Sequence, residues 1–399
     1  SRSGTGRQID ACRVDRPYVR YFSTVSLRRS HDRSGIASVA VAVVLCLAVV
    51  GGSQALAAPD ADDVADSPPL SVPTTSAGTL EDTDLDVHQG RDAVEQLERS
   101  GTLAEVADAA GLEPHELRED LIEDSSMFLT DTGFVGYADT ADWSPATPAA
   151  ALSVASVPAN VFDLHSRPTS SRVIYLDFDG HTAADPAWAS IGYPSIVSAP
   201  FDIDGVPTSF SAAEQSLIYE VWQRVAEDYR PFDVNITTRD PGLEGIRRTS
   251  SVDAAYGQRV VITPSNFAGS SVIGVALLDV FGSDADHAAY AFTDVGYKQT
   301  AKTMGEAVSH EAGHTFGLSH DGGSVNPSYY DGHGVWAPIM GRPIDPARPV
   351  TQWSRGEYSG ANNYEDELAI IANGRFGSPG AGYRPDDHGD TAASPTVVP

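Results

Sequence analysis

His310-Glu311-Ala312-Gly313-His314-Thr315-Phe316-Gly317-Leu318-Ser319-His320-Asp321 is the stretch on which the reading of this chain turns. It has the form H-E-x-x-H-x-x-G-x-x-H. On an α-helix, residues i and i+4 share a face, so His310 and His314 can point at one ion from one side. Neutral imidazole suits Zn²⁺, and a catalytic zinc keeps three protein ligands and one open position for water. Glu311 sits one step round the helix from His310, where a carboxylate can reach that water as a general base. Gly317 lets the backbone leave the helix in a left-handed conformation at little cost, and the reversal returns His320 as third ligand.

This pattern resembles that of the metzincin zinc metalloproteases. The resemblance implies a methionine in a tight turn beneath the metal, and Trp336-Ala337-Pro338-Ile339-Met340-Gly341 supplies one at Met340. Asp321, directly after the third histidine, is similar to the reprolysin (adamalysin) branch, in which that aspartate braces the fold. Arg342 stands where the astacin and serralysin branches place a tyrosine, which weakens the likeness to them. Val173–His181 and Glu227–Val234 resemble secreted bacterial members of the reprolysin-like group. The likeness implies an α/β (α+β) fold over residues 161–376. Expected are a twisted, mostly parallel sheet with an antiparallel edge strand, an active-site helix, the methionine turn and a C-terminal helix. It also implies that an edge strand, here Gly274, Val275, Ala276 and Leu277, binds an extended substrate by strand addition. Residues around Trp336–Ile344 would line the pocket behind the metal.

Periodicity supports a layered α/β order. Arg172–Phe178 alternates as a first strand. Ser211 is placed to cap a helix running to about Tyr229, with Ile218, Val221, Trp222 and Val225 on one face. Strands are expected at Asp233–Thr238, Arg259–Thr263, Gly274–Asp279 and Ala288–Thr293. Helices are expected at about Gln299–Gly317 and Tyr364–Ala372.

The formal net charge is −29, and Lys298 and Lys302 are the only lysines. Such acidity argues against nucleic acid and anionic membranes as partners. Residues 1–58 run against this trend, with eight Arg and three Asp. There Arg28, Arg29 and Arg33 precede an apolar run from Ile36 to Val50 and an A-x-A site near Ala55–Ala58, the organisation of a secretory signal peptide. The protein is therefore expected outside the cell, acting on proteins or peptides, with no stable membrane association once the leader is removed. Both cysteines, Cys12 and Cys46, fall in that leader. The mature chain would hold no disulfide, no thiolate ligand and no cysteine-based latency switch.

Residues 59–90 are acidic and rich in Pro and Ser, and read as disordered. Residues 91–139 read as a small helical pro-region that would make the chain a zymogen: three short helices, then a hairpin from Met127 to Tyr137 turning at Asp131-Thr132-Gly133. Its helix-turn-helix look is offset by its acidity, and Asp131-Thr132-Gly133 reads as a turn and not as an aspartic-protease triplet. Residues 140–160 read as a linker and 377–399 as a flexible tail.

Asp177-Phe178-Asp179-Gly180 and Asp202-Ile203-Asp204-Gly205 offer carboxylates at a spacing that suits Ca²⁺, as does Asp284-Ala285-Asp286-His287 less clearly. His181, His287 and His333 lack ligand spacing among themselves. Asn235-Ile236-Thr237 is a glycosylation sequon inside an expected strand. The function expected is hydrolysis of peptide bonds by a zinc-activated water. Two alternatives stay open at this stage: a non-proteolytic surface or binding protein that keeps the fold, and a zinc hydrolase acting on another amide linkage.

Overall fold

The computed structural model describes residues 89–140, 157–294, 300–345, 347–375 and 378–385. Three short helices come first: α1 (Gly90–Ser100), α2 (Leu103–Ala110) and α3 (Pro114–Glu123). A hairpin of β1 (Met127–Leu129) and β2 (Val135–Thr140) follows. The larger part begins with β3 (Arg172–Asp177), β4 (His181–Ala183), α4 (Pro186–Ser190), β5 (Ile196–Ser198) and α5 (Ala212–Asp228). It continues through β6 (Asn235–Thr237), α6 (Leu243–Ile246), β7 (Tyr256–Thr263), β8 (Val272–Leu277) and β9 (Ala289–Phe292). Then come α7 (Ala301–Thr315), β10 (Trp336–Pro338), β11 (Val350–Gln352) and α8 (Glu367–Asn373).

The result is a mixed α/β fold on a sheet ordered β1-β2-β8-β9-β7-β3-β6. Strands β9, β7, β3 and β6 are parallel, as expected of a sheet fed by crossover connections. β8 runs antiparallel to β9. β7 is buried along its whole length, the mark of a central strand covered on both faces. Its alternation sorts the two cores: Val260 and Ile262 face α5 and α7, while Val261 faces Trp188, Tyr290 and Phe292.

Local signals set the helices. Ser211 accepts the Glu214 N–H and Glu214 answers the Ser211 N–H at 2.6 Å, a reciprocal cap where α5 was expected to start. α1 and α2 stop at left-handed Gly101 and Gly111. α8 starts later than its apolar pattern suggests, because Asp366 caps it by accepting the Ala369 N–H. The β4–β5 pair, α4, α6 and the β10–β11 pair were not anticipated. They are too short to show a period.

The hairpin β1–β2 does not pack against α1–α3 alone. Met127, Leu129, Val135 and Tyr137 pack with α1–α3, but Phe128 and Ala138 face the other way into the core around Trp188. β2 pairs antiparallel with β8 from Gly136↔Leu277 to Thr140↔Val272. The strand expected to be an open edge is therefore covered by another strand of the same chain.

The tail also departs from expectation. Residues 378–385, read as loose, are tied down: Ala381 and Gly382 donate to Ile371 and Ala372, and Asp233 donates to Gly382 at 2.8 Å. Glycine and proline there allow a chain path that meets the unpaired carbonyls at the end of α8. The leader 1–58, nearly all of 59–90, most of 140–160 and residues 386–399 lie outside the described residues. Among the described residues no helix is long and apolar enough to cross a membrane.

Candidate metal centre

α7 carries His310, Glu311 and His314 and is held firmly. Every one of its residues is buried, and Thr300 caps its start. From α5, Tyr229 donates to the Ser309 carbonyl at 3.0 Å, and Asp228 accepts from the Ser309 hydroxyl at 2.7 Å. The helix ends at Phe316, and Gly317 follows at φ +94°, where L side chains are strained. The turn brings His320 back against the helix. The three imidazole centroids lie 4.8, 4.9 and 5.2 Å apart, close to an equilateral triangle.

Each ring has its Nδ1 committed elsewhere. His310 donates to the Ile339 carbonyl at 2.7 Å, His314 to the Leu318 carbonyl at 2.7 Å, and His320 to Asp124 Oδ2 at 2.6 Å. Carbonyls and carboxylates only accept, so each ring presents its Nε2 inward. There the Nε2 atoms of His310, His314 and His320 meet the Asp139 carboxylate at 3.6, 3.4 and 2.8 Å. Asp139 comes from β2, not from the sequence motif. The three Nε2 atoms and Asp139 Oδ2 are buried and have no hydrogen-bond partner. Buried polar atoms in that state are rare and costly, and one cation would satisfy all four. Asp139, His310, His314 and His320 can together hold a metal ion.

The supports of the site are clear. Ile339, which orients His310, immediately precedes Met340, and Met340 is fully buried beneath the helix. A Cβ on Gly313 would come within 2.6 Å of Met340 Sδ, so the second variable position of H-E-x-x-H must be small for the methionine to pack there. Asp321 donates its N–H to the Met340 carbonyl and takes the Ser354 hydroxyl on its carboxylate at 2.7 Å, tying the histidine loop to the turn.

Glu311 lies beside the triangle with both carboxylate oxygens buried and without hydrogen-bond partners. Burial first, then neighbouring Asp139, hold its carboxyl well above the usual range. A cation between them would relieve both effects. Gly274 makes room for it, since a Cβ at that position would overlap Glu311 Oε1. Tyr329 donates its hydroxyl to Asp139 Oδ1 at 2.6 Å. Tyr137 stacks on His314 with centroids 4.3 Å apart and touches His320 at 4.4 Å.

Other expectations fare unevenly. Val275, Ala276 and Leu277 are in β8 beside the site, with their backbones paired to β2. Trp336 is not at the site. Its indole donates to Gln352 on β11, and the small space behind His310 is lined instead by Ile273, Ala307, Gly341, Pro343 and Ile344. That space is only about 20 Å³, and Asp139 and Thr140 also line it. Asp177 and Asp286 already have a cation, the Arg259 guanidinium, at 2.6 and 3.0 Å. His287 bonds Asp185, and His333 bonds Tyr330. Asp202, Asp204 and Glu214 could share an ion, but Asp202 accepts backbone N–H groups of its own turn and Glu214 serves the α5 cap.

Sequence reasoning missed Asp139, Asp124, Tyr137 and Tyr329. Tyr329 and Asp139 are 190 positions apart, and no spacing rule links them.

A cavity of about 460 Å³ lies behind His320, between α3 and the loop that carries Glu365. Burial, then Glu365, Asp124 and Glu116, push Asp120 up to about 7 in this wall. An acid whose folded pKa is raised binds its proton more tightly in the folded state. Its contribution to stability is complete below the unfolded value and is lost as pH rises towards 7. Asp120→Asn should therefore flatten the fall in urea midpoint between pH 5 and pH 7 relative to the parent chain, and equal slopes would refute the assignment. Gly274→Ala should cost about 1–3 kcal/mol by overpacking against Glu311. Adding Glu311→Ala should return most of that loss, a coupling that a double-mutant cycle measures directly.

A comparison of the sequence with protein-family models finds no match, and a comparison with curated proteins finds none either.

Proposed function

We propose that this chain is a secreted zinc endopeptidase of the metzincin type, closest in its motif to the reprolysin branch. One observation carries the reading: three histidines, each fixed through Nδ1, aim their Nε2 atoms at one point with the Glu311 carboxylate beside it. Three imidazoles with one adjacent carboxylate are the donor set of a hydrolytic zinc site. Small-residue contacts at Gly313 and the Met340 turn support the same family reading.

His310, His314 and His320 would hold the zinc. When bound, the ion polarises a carbonyl and lowers the pKa of water to about 7. Glu311 takes a proton from the attacking water as its oxygen bonds the scissile carbon. It delivers that proton to the amide nitrogen as the C–N bond breaks. The backbone of β8 holds an extended polypeptide by strand addition. Tyr329, once released from Asp139, donates its hydroxyl to the carbonyl oxygen, where negative charge develops. Phe316, at the end of α7, packs against Tyr229, a contact that helps position the helix.

Glu311→Gln should keep one zinc per chain and lower the rate of casein cleavage by roughly 10²–10⁴-fold. The comparison uses material trimmed of residues before 157. Undiminished cleavage in that variant, or zinc-loaded protein that cleaves no polypeptide, would sink the proposal. Tyr329→Phe should leave zinc content and KM close to the parent values and reduce kcat by roughly 10–10²-fold, since only the transition state loses a bond.

A further inference from the structure

The loop that returns His320 to α7 has a different neighbour on each side. On one side Leu318 is buried in the main core, and its N–H reaches back to the Gly313 carbonyl. On the other side Ser319 and His320 line the cavity of about 460 Å³, where open space stands in place of packed side chains. Asp124 aims the His320 ring, but the backbone that carries the ring needs its own support. Zinc–nitrogen bonds of about 2.0–2.1 Å tolerate little displacement, so a backbone that drifts into the cavity takes the third ligand with it.

Polar contacts from the two flanks of α8 supply that support. Before α8, Glu365 accepts the Ser319 N–H on Oε2 at 3.0 Å. Asn363 donates its side-chain amide to the His320 carbonyl at 3.1 Å and accepts the Glu365 N–H at 2.9 Å. After α8, Arg375 donates Nη1 to the Gly317 carbonyl at 3.0 Å. That bond fixes the peptide plane that follows Gly317, the residue whose positive φ turns the chain. The same Nη1 also bonds Glu365 Oε1, so the two flanks close into one ion pair across α8. The two side chains are only 15 % and 13 % exposed, and solvent therefore screens the pair far less than a surface one.

We propose that Arg375, joined to Glu365 across α8, is a positioning residue for the third metal ligand, and that the C-terminal segment thereby sets the metal affinity of the centre. Neither side chain belongs to the group that can hold the ion. Both act through the backbone of Gly317–His320, which they hold against the open side of the loop. The inference rests on the three-histidine centre and not on the endopeptidase reading.

The test is the zinc affinity of the full chain, measured by competition with a fluorescent chelator and without any substrate. Arg375→Ala should weaken zinc binding by roughly 10–100-fold, the range over which partners of metal ligands act. Arg375→Lys keeps a charged donor for Gly317 and Glu365 and should recover most of that loss. Glu365→Ala should weaken binding over the same range, and the double variant should lose little more than either single change, because both break one unit. Ile246→Ala is the control for stability alone, since Ile246 packs with Val173 and Tyr175 in a cluster separate from the core under α7. It should leave zinc affinity at the parent value. Unchanged affinity in Arg375→Ala overturns the proposal. An equal loss in Ile246→Ala also overturns it, because affinity would then merely follow stability. So does an Arg375→Lys variant no better than the alanine. Glu365→Ala carries the same comparison if Arg375→Ala does not fold. A parent chain that binds no zinc removes the centre and this inference with it. Casein cleavage enters none of these outcomes, so failure of the protease reading is read separately.

Discussion

Three imidazole nitrogens and a carboxylate oxygen meet in the protein interior, buried and without hydrogen-bond partners. That is the constraint on which the rest of the arrangement depends. Desolvating such groups without partners costs several kcal/mol, and a fold tolerates it only where a cation completes the set. The surrounding structure is built to present these atoms. α5 buttresses α7 through Ser309, the Met340 turn supplies a carbonyl for His310, and the reversal after Gly317 supplies one for His314. His320 is the exception, because its orienting partner Asp124 comes from the distant segment between α3 and β1.

The helices α1–α3 couple to the larger part through one hairpin with two faces. Alternation along β1 and β2 sends Tyr137 and Val135 to the helices α1–α3 and sends Phe128 and Ala138 to the core around Trp188. A strand of period two can join two cores in this way, whereas a helix of similar length would present one stripe. The same alternation points Asp139 at the histidines. Cys12 and Cys46 lie outside the described residues, and the fourth group at the three imidazoles is a carboxylate, that of Asp139. Carboxylate oxygen is also an ordinary zinc ligand.

Much of the fold was legible because it rests on local physics. The capping pair Ser211 and Glu214, the apolar face of α5, the buried run of β7 and the helix stops at Gly101 and Gly111 each express a rule that acts within a few residues. Trp336 shows where that ends. It stands four residues before Met340 and looked like a pocket residue, but its indole is turned to Gln352 by pairing between β10 and β11, strands too short to declare themselves. Residues 378–385 look loose by composition, yet they are ordered by backbone bonds to α8 and to the segment before β6.

The chemistry of the centre was determined by the sequence alone: the i, i+4 geometry of a helix and the freedom of Gly317 bring His310, His314, Glu311 and His320 together whatever surrounds them. What covers that centre was decided only by tertiary structure. Asp139 and Tyr329 reach it from distant segments, and β2 reaches β8 through backbone hydrogen bonds that carry no residue code. Strand pairing reads register and shape, so the contact that closes the site leaves almost no trace in the order of the amino acids.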